Sequence, residues 1–246
     1  MEPEVYDRMY ECKDDYWWFV NRRLLIQKLT ERFANLKVNG KILDAGCGPG
    51  VMLPWLREYG WTVGLDNSEI ALGFCLKDNG KPLCCGSILQ LPFKKNTFDL
   101  AIIGDVLYHN NVHDDMQAIG EIYASLKRGG IALFLEPAFE VLRRKHDLVE
   151  HSARRYSVFN FKRKVTAAGF RVADIFYANN FIFFPVLLVK MTERFIDLWR
   201  GSCSDLIALP AGLNRIFTFL AMLETRLSLR VKLPFGVTVV CVAVKD

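Results

Sequence analysis

Apolar residues fall into two rhythms along this chain. Short apolar runs at about 41–45, 61–66, 81–86, 98–104, 131–135, 171–177 and 237–244 read as strands. Between them apolar positions recur at helical spacing. Leu24, Leu25, Ile26, Leu29 and Phe33 give one face to a helix ending near Phe33, and a helix over 51–59 follows the first strand. Ser68 stands where a side-chain oxygen caps a helix that Asn79-Gly80 stops. Met116, Ile119, Ile122, Tyr123 and Leu126 face a core from a helix over about 114–126, and another helix ends at Ala168-Gly169-Phe170. Strand and helix alternate, so the chain reads as α/β.

From 179 to 235 the strand rhythm lapses. Residues 181–189, interrupted by Pro185, then 192–199 and 215–229 are apolar and helical in pattern. Three readings stay open for this insertion: a cap walling a pocket, a peripheral membrane contact through 181–232, or a dimer interface.

The stretch most informative about chemistry is KILDAGCGPG, residues 41–50. A strand ends in Asp44 and opens into a glycine turn ahead of a helix. Glycine suits a turn that needs positive φ or must lie against a ligand, and the helix N-terminus after it favours negative charge. The second strand ends in Asp66, twenty positions after Gly46, where a carboxylate can take both ribose hydroxyls. This pair fits an adenosine cofactor without separating NAD from S-adenosylmethionine.

DAGCGPG, GLDNS (64–68), LPFKKNTFDLAIIGDVLYH (91–109) and LKRGGIALFLEP (126–137) together resemble the class I S-adenosylmethionine-dependent methyltransferases, in their type 11 small-molecule branch. The likeness runs over roughly residues 38–180. It implies a Rossmann-like fold with a seven-stranded, mostly parallel sheet whose last strand is antiparallel, here with a helical insertion before that strand. The domain would span 38–246, with 1–37 as an N-terminal helical lid and 179–235 as the inserted cap. S-adenosylmethionine is the implied cofactor, S-adenosylhomocysteine the product, and no metal is implied. Asp44, Gly46, Cys47, Gly48, Gly50, Asp66 and Asn67 are the implied cofactor residues, with Ile88 and Ser87 at the adenine. Ser87 departs from the carboxylate usual there. Asp105 would face the methionine amine. In such enzymes an N-terminal aromatic and arginine segment commonly closes over the cofactor, so Trp17 or Trp18 would exclude water and Arg22 would neutralise the methionine carboxylate. The alternative is that these aromatics only pack their helix on the sheet.

His109 ends a strand at the carboxyl edge of the sheet, where open α/β sheets bind ligands, and is the first choice for a base; Glu136 and His151 are in reserve. Tyr108, Arg154, Arg155 and Tyr156 are the candidate acceptor contacts. The fragment around Arg154-Arg155-Tyr156-Ser157 also resembles a subset of these enzymes associated with cell-surface glycan and lipid-linked sugar biosynthesis. The expected reaction is methyl transfer to an oxygen, with nitrogen or carbon less favoured, of a small, amphiphilic or lipid-linked acceptor with an anionic head. Two readings compete: a non-catalytic methyltransferase-like subunit, and an NAD-binding oxidoreductase, which the final strand and FDLAIIGDVLYH fit poorly.

Composition narrows the setting. With 246 residues, 51% hydrophobic and 24% charged, the chain can bury a substantial core. The net charge of +5 is local, because residues 143–171 hold nine Lys and Arg against two acidic residues. Such a stretch is either a solvated face or an attractor of an anionic substrate or surface. Seven scattered cysteines lack zinc-site spacing, so neither a metal nor a disulfide is expected. The acidic N-terminus and the shortness of 181–189 predict no signal peptide or membrane span, and a cytoplasmic monomer or homodimer, with membrane contact at most peripheral. No nucleic-acid partner is expected.

Overall fold

In this computed structural model the described residues are 3–34, 40–78, 82–143, 147, 151–196 and 209–246. Seven strands form one sheet: β1 (Lys41–Ala45), β2 (Trp61–Asp66), β3 (Leu83–Cys85), β4 (Phe98–Gly104), β5 (Leu126–Pro137), β6 (Arg171–Ala178) and β7 (Thr238–Val244). Their order is β3-β2-β1-β4-β5-β7-β6. All neighbours are parallel except β7, which runs antiparallel to both β5 and β6. The expected seven-stranded class I methyltransferase architecture is therefore present. Both sheet faces are covered, which explains why the central strands are nearly unbroken apolar runs.

The two faces divide β5 by strict alternation. Ala132 and Phe134 pack with Ile119 and Ile122 of α5 (Asp115–Ser125) and Phe161 and Val165 of α6 (Val158–Ala167). Ile131, Leu133 and Leu135 pack on the opposite face with Leu25, Ile26 and Leu29 of α2 (Trp17–Phe33). The chain leaves β1 to one side for β2 and to the other for β4. Ligands of such sheets sit at that switch, outside the carboxyl ends of the strands.

Three elements depart from the sequence reading. The helix expected over 51–59 is a single α turn, α3 (Leu53–Leu56). Beyond it Glu58 and Tyr59 bond to carbonyls three residues back, as in a 3₁₀ helix. One turn has little macrodipole, so the expected help from a helix N-terminus after the glycine turn does not apply. An unforeseen helix, α1 (Pro3–Cys12), lies against α4 (Glu69–Lys77), held there by Tyr10 and Lys13 on Asp78 and by Tyr10 against Phe74. In the insertion, α7 (Phe183–Ile196) runs through Pro185 without a break, because a proline in the first turn removes an N–H that has no helical partner. Asn79-Gly80 and the end of the helix expected over 192–199 lie outside the described residues.

The insertion's second helix, α8 (Ala211–Ser228), packs on α2 and is tied in by buried polar groups. Thr225 donates to Asn21 Oδ1 at 2.7 Å, Asn21 Nδ2 to Asn179 Oδ1 at 2.8 Å, and Asn179 Nδ2 to Thr238 Oγ1 at 3.1 Å. This relay joins α2, α8, the exit of β6 and the start of β7. Glu224 adds a clasp by accepting from the Asn180 and Phe181 N–H groups. Asn21→Leu would strand the polar atoms of both neighbours, at about 1–3 kcal/mol each. Urea unfolding should show a loss of roughly 2–4 kcal/mol, whereas Gln27→Leu on the surface of the same helix should be near neutral.

Candidate cofactor and acceptor site

The turn after β1 is shaped by contacts on both sides. Gly46 and Cys47 N–H both donate to Leu65 O of β2, and Gly46 has φ +81°. A Cβ on Gly46 would overlap the Val106 side chain in the turn after β4. Gly48, at φ +53°, faces open space instead. Asp66 Oδ2 accepts from Gly48 N–H and Oδ1 from Ser68 N–H, each at 2.9 Å. These bonds leave carboxylate lone pairs for two further donors. Burial, opposed by these N–H groups, raises the Asp66 pKa above the usual carboxylate range.

A cavity of about 590 Å³ opens at this edge. Asp44, Asp66, Asn67, Asp105 and Arg22 give it polar lining, and Gly46, Cys47, Gly48, Ser87 and Ile88 line it as well. Burial and then the neighbouring Asp66 raise Asp44 to about 7, and its Oδ2 has no hydrogen-bond partner. Arg22 is 7% exposed and lies 4.9 Å from the Trp18 ring. Its Nη2 pairs with Asp105, while Nε and Nη1 lack partners. An unmatched buried acceptor and two unmatched buried donors thus line one cavity. The amino-acid end of S-adenosylmethionine, with its ammonium and carboxylate, is chemically complementary to that pair, and the diol of its ribose suits Asp66. The residues fit the cofactor.

The aromatic run at 16–19 divides its contacts. Trp17 packs among Phe181 and Phe217 of the insertion, and its N–H donates to Asn214 Oδ1. Trp18 lies over Arg22. From the insertion, Ile182, Pro185, Val186, Val189 and Phe217 line the cavity. Tyr6 and Met9 of α1 line it as well, with Tyr6 beside Ser68 and Asp66. Those two were missed by sequence reading; their i, i+3 spacing with an apolar Val5 was the available signal.

Several candidate residues stand elsewhere than expected. Glu136 is fully buried and outside the cavity lining. Its carboxyl accepts from the Val106, Leu107 and Tyr108 N–H groups at 3.3, 3.0 and 3.2 Å, so it shapes the β4 turn and is not placed to act as a base. Tyr156 is also buried, donating to Leu107 O and Asp115. Arg154 lies 3.9 Å from Asp115 and is likewise outside the lining. Arg155 reaches the cavity, but its guanidinium forks onto Asp147 at 2.9 and 3.0 Å. Arg155 is thus neutralised by Asp147, whereas Arg154 shares Asp115 with Lys164, which is nearer to it at 2.8 Å, and stands away from the cavity. Gly50, at φ +85°, backs onto Cys75 and only supports the turn.

His109 and Tyr108 do line the cavity. Burial, with the neighbouring His151, lowers the His109 pKa to about 4, so its ring is neutral at pH 7. Its Nδ1 accepts from Asn111 N–H at 3.1 Å, which puts the proton on Nε2. His151 is not part of the lining; its ring centroid is 5.8 Å from that of His109. Among the described residues, no group of His, Cys, Asp and Glu is arranged to hold a metal.

The sheet order and the cavity define an adenosyl-cofactor fold, and comparison with known proteins gives the family. The methyltransferase domain family matches residues 43–134. A Methanocaldococcus jannaschii protein of unassigned function is 30% identical over 180 residues, 71% of this chain and 74% of that one. Demethylmenaquinone methyltransferases of Bacillus cereus are 34% identical over 151 residues, 55% of this chain and 62% of theirs. Among solved structures, a chain from the complex of the Haloferax volcanii Trm112 methyltransferase activator with a methyltransferase superposes with TM-score 0.63 at 20% identity, covering 99% of this chain and 95% of that one. A Thermotoga maritima S-adenosylmethionine-dependent methyltransferase gives 0.59 at 18%, covering 98% and 100%. The chain belongs to the class I S-adenosylmethionine-dependent methyltransferases, and S-adenosylmethionine is its cofactor.

Two glycines separate folding from binding. Gly46→Ala meets both a positive φ and Val106, and should lose stability and cofactor affinity together. Gly48→Ala has room and pays only the αL strain of about 1 kcal/mol, so it should stay folded while its methyl intrudes on the ligand side. Thermal unfolding alongside calorimetric titration with S-adenosylhomocysteine would show whether the two effects part in this way.

Glu136 sets a second expectation. Burial and then Asp105 raise its pKa to about 8 from the ordinary 4.5. A carboxyl whose folded pKa is raised contributes stability that is full below about pH 4.5 and is lost as pH climbs through about 8. Unfolding free energy of the parent should therefore fall over that window. Glu136→Gln should be less stable at pH 5, by about 1 kcal/mol for the N–H it cannot match, with a flatter profile towards pH 9.

Proposed function

We propose that the chain transfers the methyl group of S-adenosylmethionine to an oxygen of a small acceptor with an apolar body and a hydroxyl acidic enough to ionise, as in a phenol or enol. The observation that carries this reading is the contrast within the cavity. Its cofactor side is polar and has unmatched groups, while the insertion contributes only apolar side chains, with the neutral His109 as a polar group between the turns. Such a lining suits an apolar ligand oriented by few polar contacts.

When bound, the cofactor supplies an electrophilic methyl on a positively charged sulfur. Asp44, Asp66, Arg22 and the Gly46–Gly48 backbone would hold it, and Asp105 would keep Arg22 oriented. Trp18 and the insertion would exclude water around the reacting atoms. His109 is better suited to donate than to accept a proton. Its Nδ1 lone pair is engaged by Asn111, so Nε2–H can bond to an acceptor oxygen and favour that oxygen's anionic form. The acceptor's own acidity then replaces a base, and alignment supplies most of the acceleration. The Bacillus demethylmenaquinone methyltransferases, whose name denotes a small-molecule acceptor, support the substrate class. An acceptor with an anionic head, such as a lipid-linked sugar, is less favoured, because Arg155 is neutralised by Asp147 and Arg154 lies outside the cavity lining.

Calorimetric titration with S-adenosylmethionine, S-adenosylhomocysteine and NAD should give binding of the first two alone, abolished in Asp66→Ala. A panel of phenols and reduced quinones would follow. His109→Gln should lower kcat about 10²-fold with cofactor affinity unchanged. The rate should rise with the acceptor's ionisation and show no imidazole limb between pH 5 and 8, because His109 stays neutral there. Unaltered turnover in His109→Gln would remove it from the reaction.

A further inference from the structure

Helix α8 is amphipathic the wrong way round for a soluble cap. Its body-facing side is largely small and polar: Ala221, Thr225 and Ser228 are buried, Asn214 binds the α1–α2 connection, and Phe217 is a large apolar side chain turned that way, onto Trp17. At ~100° per residue, Leu213, Ile216, Leu220, Leu223 and Leu227 form a stripe on nearly the opposite side. All five are exposed, Ile216 at 56% and Leu227 at 54%, and Phe219 beside them at 68%. On α7, Phe184, Leu188 and Met191 repeat the pattern at i, i+4 and i+7, each at least 60% exposed. Twelve of the seventeen large apolar side chains exposed among the described residues belong to this insertion, whereas the other five are scattered. An apolar concentration of this kind marks a surface that meets something other than water.

We infer that the outer face of the insertion docks on an anionic lipid bilayer, with α8 lying in the plane of the interface. Charge decides between lipid and a second copy of the chain. Exposed Arg215 and Arg226 run along one edge of the stripe and exposed Arg230 follows it. The only carboxylate of α8, Glu224, is turned inward onto the Asn180 and Phe181 N–H groups. A second α8 would bring more arginine and no acid to pair with it, while acidic headgroups would satisfy all three cations with the apolar stripe sunk beneath them. Position gives the docking a use. Pro185, Val186, Val189 and Phe217 of the same two helices line the acceptor side of the cavity, so docking would place that wall at the membrane, where an apolar acceptor is concentrated. The inference rests on the apolar-acceptor reading for its purpose, not for its test.

That test is sedimentation of the purified chain, without cofactor or acceptor, with vesicles of phosphatidylcholine alone and of phosphatidylcholine with phosphatidylglycerol. Binding should require the acidic lipid. It should be lost in the double variant Ile216→Ser, Phe219→Ser, and weaken about fivefold at low ionic strength for each of Arg215→Gln and Arg226→Gln. Cofactor affinity should be unchanged in every variant, which certifies the fold and separates failure of this surface from failure of the proposed reaction. Absence of vesicle binding, or binding indifferent to the Ile216 and Phe219 changes, would overturn the inference. So would a dimer in analytical ultracentrifugation that the double variant dissociates, which would assign the face to a second copy.

Discussion

A carboxyl outside the cavity lining governs the cavity's shape. Glu136, on β5, gathers three consecutive backbone N–H groups at Val106, Leu107 and Tyr108. Val106, so fixed, fills the space that a Cβ on Gly46 would need. The turn after β1 can therefore close only as glycine, and only against a β4 turn already in place. Asp66 completes the arrangement from the other side by accepting from Gly48 N–H. Four neighbouring strand ends are thus tied together, β5 to β4 and β2 to β1 by carboxylates on backbone N–H groups, and β4 to β1 by Val106 against Gly46. The rigidity matters because methyl transfer depends on the line between donor and acceptor more than on any strong acid or base.

The second dependence is between the chain's beginning and its insertion. Segment 15–22 and the insertion are bound by the Asn21 relay, by Asn214 on the α1–α2 connection, and by Trp17 among Phe181 and Phe217. Arg22, one residue along from Asn21, reaches the cavity. The groups that face the cofactor's amino-acid end and those that face the acceptor therefore share one mechanical support, and a change in the insertion's position is felt at Arg22 within two residues of chain.

Much of this was legible in the sequence, and for identifiable reasons. Parallel strands buried on both faces must be continuous apolar runs, so their number and places along the chain could be read. The glycine turn and Asp66 could be read because backbone approach and ribose recognition restrict residue type. What could not be read was partnership. Glu136 and Arg155 look like chemistry until it is known that one holds a turn and the other a buried Asp147. His109 looks like a base until Asn111 is seen on its Nδ1. Helix α1 was hidden because its acidic composition masked a short apolar face, and the one-turn α3 because its later hydrogen bonds tighten to a three-residue pattern that apolar spacing does not distinguish.

The insertion also alters how the sheet can be assembled. β6 meets the sheet only through β7, and residues 179–237 lie between those partners. Joined by a four-residue turn they would zip as a hairpin; across about sixty residues the loop-closure entropy is greater by about 2 kcal/mol. That cost falls on the closing step, with β5 awaiting its antiparallel neighbour and α8 not yet seated on α2. The chain should accordingly complete its central parallel strands early and its β5-β7-β6 edge late. Until then an unpaired strand edge and the apolar helices are exposed together, which makes this step the one at which self-association competes with folding.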